Sequence, residues 1–349
     1  MSNPIPVQNI YYLLCYAWNS LEEGETIDVS GIDSTNLVDL FASVLLSGLN
    51  HLLRRGLEQG YQTFGEELTS VRGRVSVAIS TRRMLLQHGK AYCEYDELTV
   101  NTQANRILKT TLSRLTRVEA LDSDLKKKIV KVCRDLPEIT DIPITRHAFR
   151  KIQLHSNSRY YRFLLNVCQL ISENLLVDES SGSYRFRDFL RDERKMALLF
   201  ESFIFNFIKT ERPDLNVRKE KIKWDATAEN EEDLFYLPNM ETDISVRSKE
   251  KALIIDAKYY RKTMSSYYES ESIHSAHLYQ LTAYLKNLEA RAAPDNEASG
   301  LLLYPFSGRR VDLEYNMQGH SVGAKTLDLS VNWTNIRSQL RQIVDEKFS

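Results

Sequence analysis

ETDISVRSKEKALIIDAKYY, residues 241–260, decides how this sequence folds. Residues 252–255 are apolar and β-favouring, and 244–246 form a shorter run of the same kind. The polar segment 247–251 between them reads as a turn, so the simplest structure is an antiparallel hairpin. A near-symmetric register about that turn sets Asp243 opposite Asp256. Side chains alternate along a strand, so Asp256 and Lys258 share one face. Three charged groups then converge on one spot. Two facing carboxylates repel unless a cation or a proton lies between them, and a divalent metal resolves the conflict. Hard carboxylate oxygens suit Mg²⁺. An ammonium beside them positions a water or neutralises charge on a phosphate. The pattern points to a metal-dependent phosphodiesterase centre. An Asp-x-Lys triplet alone is more often a surface ion pair, because charged residues are normally exposed. The apolar strand leading into it, the upstream Asp and a following helix favour the site.

That helix is expected over residues 273–288, with Gln280 and Tyr284 one turn apart on one face and His277 on a similar face. Gln and Tyr side chains orient a lysine and a phosphate by hydrogen bonding. Asp-x12-Asp-Ala-Lys followed by Gln-x3-Tyr resembles the PD-(D/E)XK nuclease superfamily, with Thr242 where that motif commonly has Pro. The resemblance implies that Asp243 and Asp256 bind Mg²⁺, with the Ala257 main-chain carbonyl as a further ligand. It implies that Lys258 is catalytic and that Gln280 and Tyr284 organise it. A glutamate on the preceding helix often assists in that superfamily. Glu201, within ALLFESFIF at 197–205, is the matching candidate, weighed evenly against an ordinary polar position on a mostly buried helix.

Further segments resemble McrC, the nuclease subunit of McrBC modification-dependent restriction systems. They are IPVQNIYYLLCYAW at 5–18, RRGL at 54–57, Gly73-Arg74, DELTVNTQANR at 96–106, SYRFRD at 183–188, Trp224-Asp225, METD at 240–243 and GLLLYP at 300–305. They occur in order over nearly the whole chain. The resemblance implies a GTP-dependent, 5-methylcytosine-specific endonuclease subunit acting on double-stranded methylated DNA. Residues 1–155 would dock into the pore of a hexameric McrB-like AAA+ GTPase ring and stimulate it. Residues 156–349 would be the PD-(D/E)XK endonuclease domain. GTP would be bound by the partner, since no GxxxxGK[ST] loop occurs here. Arg72 and Arg74 are chemically suited to supporting a GTPase transition state, although a surface turn is the commoner role for such residues. Two alternatives stay open: a stand-alone repair or junction nuclease, and a non-catalytic GTPase activator.

At 349 residues, with 42% apolar and 27% charged residues, the chain suits two ordinary globular domains. A formal net charge of −1 is unlike a free-standing nonspecific DNA binder. DNA contacts must then come from local basic clusters or a partner. The clusters are Arg82-Arg83 with Lys90, 126–128, Lys249 with Lys251, Arg261-Lys262 and Arg309-Arg310, of which Arg261-Lys262 lies best, just past the catalytic strand. Cys15, Cys93, Cys133 and Cys168 lack zinc-type spacing and read as free thiols of a reducing compartment. No signal-peptide pattern and no membrane-crossing apolar run is evident, so a cytoplasmic protein without membrane contact is expected.

The expected fold class is α/β (α+β). Helices are expected at 7–20, 34–58 (with Gly48 interrupting its stripe), 101–115, 124–136, 158–176 and 193–210. Strands are expected at 67–79 (through a tight turn at Gly73) and 91–98, with a loop at 177–184. The order from about 193 to 304 (the 193–210 helix, strands at 217–224, 242–246 and 252–258, the Gln280 helix and a strand at 300–304) fits an α/β nuclease core with a mixed sheet flanked by helices; strands at 311–315 and 326–331 and a last helix at 334–348 are expected after it. The N-terminal part reads as mixed α/β, and the resemblance implies that it binds the partner.

Overall fold

The computed structural model describes residues 5–29, 36–150, 152, 154, 158–177, 184–259, 265–267 and 270–349. Arg261 and Lys262, the favoured basic pair, lie outside the described residues, as does most of the loop expected at 177–184. The chain divides into two compact units: Met1–Leu40 with Asp188–Ser349, and Phe41–Arg187. The division therefore does not fall at residue 155. The N-terminal segment belongs with the C-terminal unit, and residues 159–186 belong with the middle one.

In the first unit, helix α1 (Val7–Ala17) begins after Pro6, which fits the fixed φ of proline at a helix start. Helix α2 (Glu193–Glu211) is capped by Asp192, whose side chain accepts from the Arg194 and Lys195 amides. Strands β1 (Asn216–Arg218), β2 (Ile244–Arg247) and β3 (Ala252–Ala257) follow, then helix α3 (Ser275–Leu288) and strand β4 (Ser299–Pro305). Strands β5 (Asp312–Met317) and β6 (His320–Leu327) and helix α4 (Trp333–Phe348) end the chain. The sheet order is β5-β6-β4-β3-β2-β1. β3, β4 and β6 run parallel, whereas β2 pairs antiparallel with β3 and β5 with β6. This is the expected mixed sheet. All six residues of β3 are buried, as a central strand covered on both faces requires. On one face Ile254, Leu302, Tyr304 and Ala324 pack with Leu281 and Leu285 of α3. On the other, α2 packs against β3.

Helix α1 is tied into this unit by specific bonds. Asn9 is buried and donates to the carbonyls of Leu329 and Val331 at 2.8 and 2.7 Å. Tyr16 donates to Glu211 at 2.6 Å, and Tyr12 stacks on Trp333 with ring centroids 4.8 Å apart. These bonds correct the strand expected at 326–331. It ends at Leu327, and the carbonyls beyond it are taken by Asn9 rather than by a neighbouring strand. The strand expected at 217–224 is likewise split. Asn216–Arg218 joins the main sheet, while Lys221–Ile222 pairs with Met240–Glu241.

In the middle unit, Gly60–Leu68 pairs along its whole length with Ala91–Thr99, and Arg74–Val75 adds a short third strand. Gly73 turns the chain with φ of 65°. The strand expected to reach Ile79 stops at Val75, and helix Val77–Arg82 follows, leaving Val77 66% exposed. Its alternation is not that of a buried face. Gly48 does not break helix Leu37–Arg55; it is small where Leu164 packs so close that a side chain would collide with it. That helix corrects the membrane expectation in one respect: it is long and apolar enough to cross a bilayer, yet is mostly buried within the protein. The segment 96–106 is fixed by Asn105, which accepts from Tyr161 at 2.9 Å and donates to the carbonyls of Val100 and Glu58.

Candidate metal centre

The β2–β3 register pairs Ile244 with Ile255. One step further along it brings Asp243 to Asp256, as the hairpin reading requires. The Ala257 amide donates to Asp243 Oδ2 at 3.1 Å, fixing one carboxylate against the next strand. Lys258 Nζ stands 2.8 Å from Asp256 Oδ1 and 3.6 Å from Asp243 Oδ2. Lys258 is itself held at the strand end by its amide, which donates to the Leu303 carbonyl.

Asp256 is fully buried, and its Oδ2 has no hydrogen-bond partner. A buried oxygen of this kind is costly unless something occupies it. Burial pushes the Asp256 carboxyl up to about 7; the Lys258 ammonium opposes that rise and the Asp243 carboxylate adds to it. Burial disfavours the Lys258 ammonium, but the carboxylates of Asp256 and Asp243 outweigh it and hold the amine above its usual range.

Gln280 and Tyr284 are brought together, though with a different task from the one expected. Gln280 Nε2 donates to Tyr284 OH at 2.7 Å, and Tyr284 donates to the Glu241 carbonyl at 2.8 Å. The pair therefore fixes the main chain two residues before Asp243. Burial raises the Tyr284 phenol above its ordinary value, so it remains a donor at neutral pH. His277 bonds Tyr304 OH through Nδ1 at 2.9 Å, and burial lowers its imidazole to about 4, leaving it neutral. Glu201 forms an ion pair with Lys219. Among the described residues no group of three or more His, Cys, Asp or Glu side chains is placed to share a metal ion, so Glu201 is not gathered with the two aspartates.

Sequence reasoning missed the task of Thr242. It is buried, accepts from the Glu220 amide at 3.2 Å and lies 2.9 Å from Ser245 Oγ, so it staples the 220 turn to β2. Nothing in its spacing signalled this. Of the basic clusters, Lys249 and Lys251 lie in the β2–β3 turn, at the end of the strands away from Asp256, whereas Arg309 and Arg310 follow the carboxyl end of β4. Arg72 lies over the Tyr95 ring at 4.0 Å and pairs with Glu97, while Arg74 is exposed.

Comparison with known proteins gives three findings. The model of the family described as McrBC 5-methylcytosine restriction system component matches residues 7–305. A curated Escherichia coli (strain K12) protein described as the type IV methyl-directed restriction enzyme EcoKMcrBC is 39% identical over 344 residues, covering 98% of each chain. A chain of a Thermococcus gammatolerans assembly, described as McrB AAA+ hexamers with bound McrC, superposes with a TM-score of 0.62. It shares 17% identity, over 98% of this chain and 76% of that one, and is a likeness of fold.

Proposed function

The chain belongs to the family of McrBC 5-methylcytosine restriction system components, and from that premise we propose that it is the DNA-cutting subunit of such a complex. The observation that carries the reading is the convergence of Asp243, Asp256 and Lys258 around a buried carboxylate oxygen left without a partner. Two carboxylates with hard oxygens fit Mg²⁺, which keeps several waters and needs few protein ligands. Asp243 and Asp256 would hold it, with the Ala257 carbonyl beside them. The ion supplies charge stabilisation at the scissile phosphate and a more acidic water.

The chain's own residues do the rest. Lys258, charged at neutral pH, separates the two carboxylates and presents its ammonium to the attacking water or the phosphate. The Ala257 amide keeps Asp243 aimed at its partner. Tyr284, oriented by Gln280, anchors the strand that carries Asp243. The mixed sheet with α2 on one face and α3 on the other supports reading this unit as a PD-(D/E)XK nuclease core. Glu201 would join the site only by leaving Lys219.

The middle unit, Phe41–Arg187, is the part we assign to docking on a McrB-like AAA+ GTPase ring and stimulating it. The choice of partner is supported by the fold likeness, over 98% of this chain, to a chain of a McrB–McrC assembly. Arg72 is engaged by Tyr95 and Glu97, so Arg74 is the better placed of the two to reach a bound nucleotide. The test is cleavage of methylated and unmethylated plasmid with Mg²⁺, with and without the candidate GTPase and GTP. The expected result is cleavage of methylated DNA only when partner and GTP are present, and none with Asp256→Ala. Cleavage by the chain alone, indifferent to methylation and GTP, would make it an autonomous nuclease.

A further inference from the structure

We propose that Arg310, at the mouth of a groove on the same sheet end as the candidate metal centre, holds a backbone phosphate of the DNA strand to be cut. The proposal rests on the nuclease reading of Asp243, Asp256 and Lys258. In open α/β sheets ligands gather outside the carboxyl ends of the parallel strands. Here β3, β4 and β6 are parallel, and β3 ends in Asp256 and Lys258. The segment 306–311 crosses the same ends of the two neighbouring strands. Phe306 donates through its amide to the Leu327 carbonyl at 2.8 Å, and Val311 exchanges bonds with Thr326. With strands about 4.8 Å apart, Arg310, which leads into the edge strand β5, lies three strands from β3, roughly 14 Å along the sheet from the catalytic strand. At about 3.4 Å of rise per nucleotide, that is about four nucleotides of one DNA strand.

A cavity of about 430 Å³ opens at the crossing, with Phe306 and Arg310 on one side and Asn335, Ser338 and Gln342 of α4 on the other. The three α4 groups are polar and uncharged, suited to phosphate and sugar oxygens. The carboxylate in the wall, Asp328, spends Oδ1 on the amide and hydroxyl of Ser330. Nearby cations are neutralised: Lys325 pairs with Asp312 and Glu346, and Lys347 with Glu314. Arg310 is exposed and, among the described residues, makes no ion pair or hydrogen bond. An unpaired surface arginine is common. This one coincides with a cavity of mixed lining, polar along α4, and with the sheet end that carries the metal centre. Its guanidinium matches a phosphate with two parallel donors. A chain with net charge −1 must make its DNA contacts by such local features.

The test uses the full chain carrying Asp256→Asn, with affinity for a methylated duplex measured between about 50 and 200 mM salt. Arg310→Gln is expected to weaken binding about tenfold and to lower the slope of log affinity against log salt by about 0.9, the share of one phosphate. Arg310→Lys should restore part of both. Lys249→Gln, at the opposite end of the strands, should change neither. In cleavage by the otherwise unmodified chain with its GTPase partner, Arg310→Gln should raise KM for DNA and leave kcat near its starting value. An unchanged slope and KM in Arg310→Gln would overturn the proposal. So would an equal loss in Lys249→Gln, or a loss traced to GTPase stimulation with DNA affinity intact. If the unmodified chain itself neither binds nor cuts DNA, the nuclease reading fails first and this proposal falls with it.

Discussion

Asp256→Asn should abolish cleavage and, in metal-free protein at pH 8, make the fold more stable. Asp256 is fully buried with Oδ2 unpartnered, and burial lifts its carboxyl from 3.8 to about 7. An acid whose proton affinity is higher folded than unfolded adds stability below its unfolded value and loses it as pH rises towards the folded one. Between pH 4 and pH 7, therefore, this group drains stability from the metal-free protein. At about 1.4 kcal/mol for each tenfold in proton affinity, the difference between 3.8 and about 7 amounts to about 4 kcal/mol. Asparagine carries no such charge, so the stability gap between variant and wild type should widen by that order from pH 4 to pH 8. Carboxylates held down by arginines, such as Glu220 and Asp295, act in the opposite sense in both proteins and cancel in the comparison. The assay is urea unfolding of both proteins in chelator at several pH values, repeated with Mg²⁺. Added Mg²⁺ should restore the wild type and leave the variant unmoved. A gap independent of pH would refute the reasoning, because it would show that Asp256 is not held in the buried, charge-disfavouring site described.

Lys258→Met should lower kcat by about 10²–10³-fold, the usual cost of removing one preorganised charge, with DNA affinity retained in a binding assay. Wild-type rates from that variant would remove Lys258 from the mechanism. Tyr284→Phe deletes the donor to the Glu241 carbonyl and should slow cleavage about tenfold while the unfolding midpoint shifts by no more than the loss of one hydrogen bond, about 1 kcal/mol. Restoration of the rate by raising Mg²⁺ would show that Tyr284 acts by placing Asp243. Asn9→Ala strips the donor from one buried and one partly buried carbonyl and should cost about 2–4 kcal/mol in urea unfolding of the full chain. A negligible cost would mean that helix α1 is not part of the nuclease unit.

The hairpin was legible because its signal is local. Two β-favouring runs about one polar turn leave a single symmetric register, and the observed pairing of Ala252 with Arg247 and Ile255 with Ile244 is that register. The face shared by Asp256 and Lys258 followed from alternation alone. Strand Gly60–Leu68 was not legible. Its apolar residues, Tyr61, Phe64 and Leu68, follow no period of two, and it exists because Ala91–Thr99 pairs with it over nine residues. The split after Arg218 was hidden for a related reason. Val217 and Ile222 read as one strand until Glu220 is seen to be claimed by Arg247 and Thr242.

Domain membership was the least legible feature, and the reason bears on function. Sequence distance argues that residues 7–17 belong with their neighbours along the chain. Yet Asn9 and Tyr16 bond to residues 320 and 195 positions away. A helix with Tyr11, Tyr12, Tyr16 and Trp18 in or beside it reads as core, and the letters do not say whose core. The answer is Phe203, Phe207 and Trp333, aromatic partners that lie in the unit carrying Asp256. The middle unit is thus an insertion between an N-terminal helix and the rest of the unit that carries Asp256, joined to it at both of its ends. A truncation at residue 155 that aims to isolate the nuclease would delete α1 and expose those rings. A shortened chain lacking only residues 41–187, with its ends joined by a flexible linker, would keep every bond of α1 described above. The first should unfold or aggregate. The second should fold and bind Mg²⁺ through Asp243 and Asp256, and, if the middle unit is the docking part, should fail to stimulate a GTPase. Soluble, Mg²⁺-binding protein from the first truncation would show that α1 is dispensable and that the bonds of Asn9 and Tyr16 do not hold the nuclease unit together.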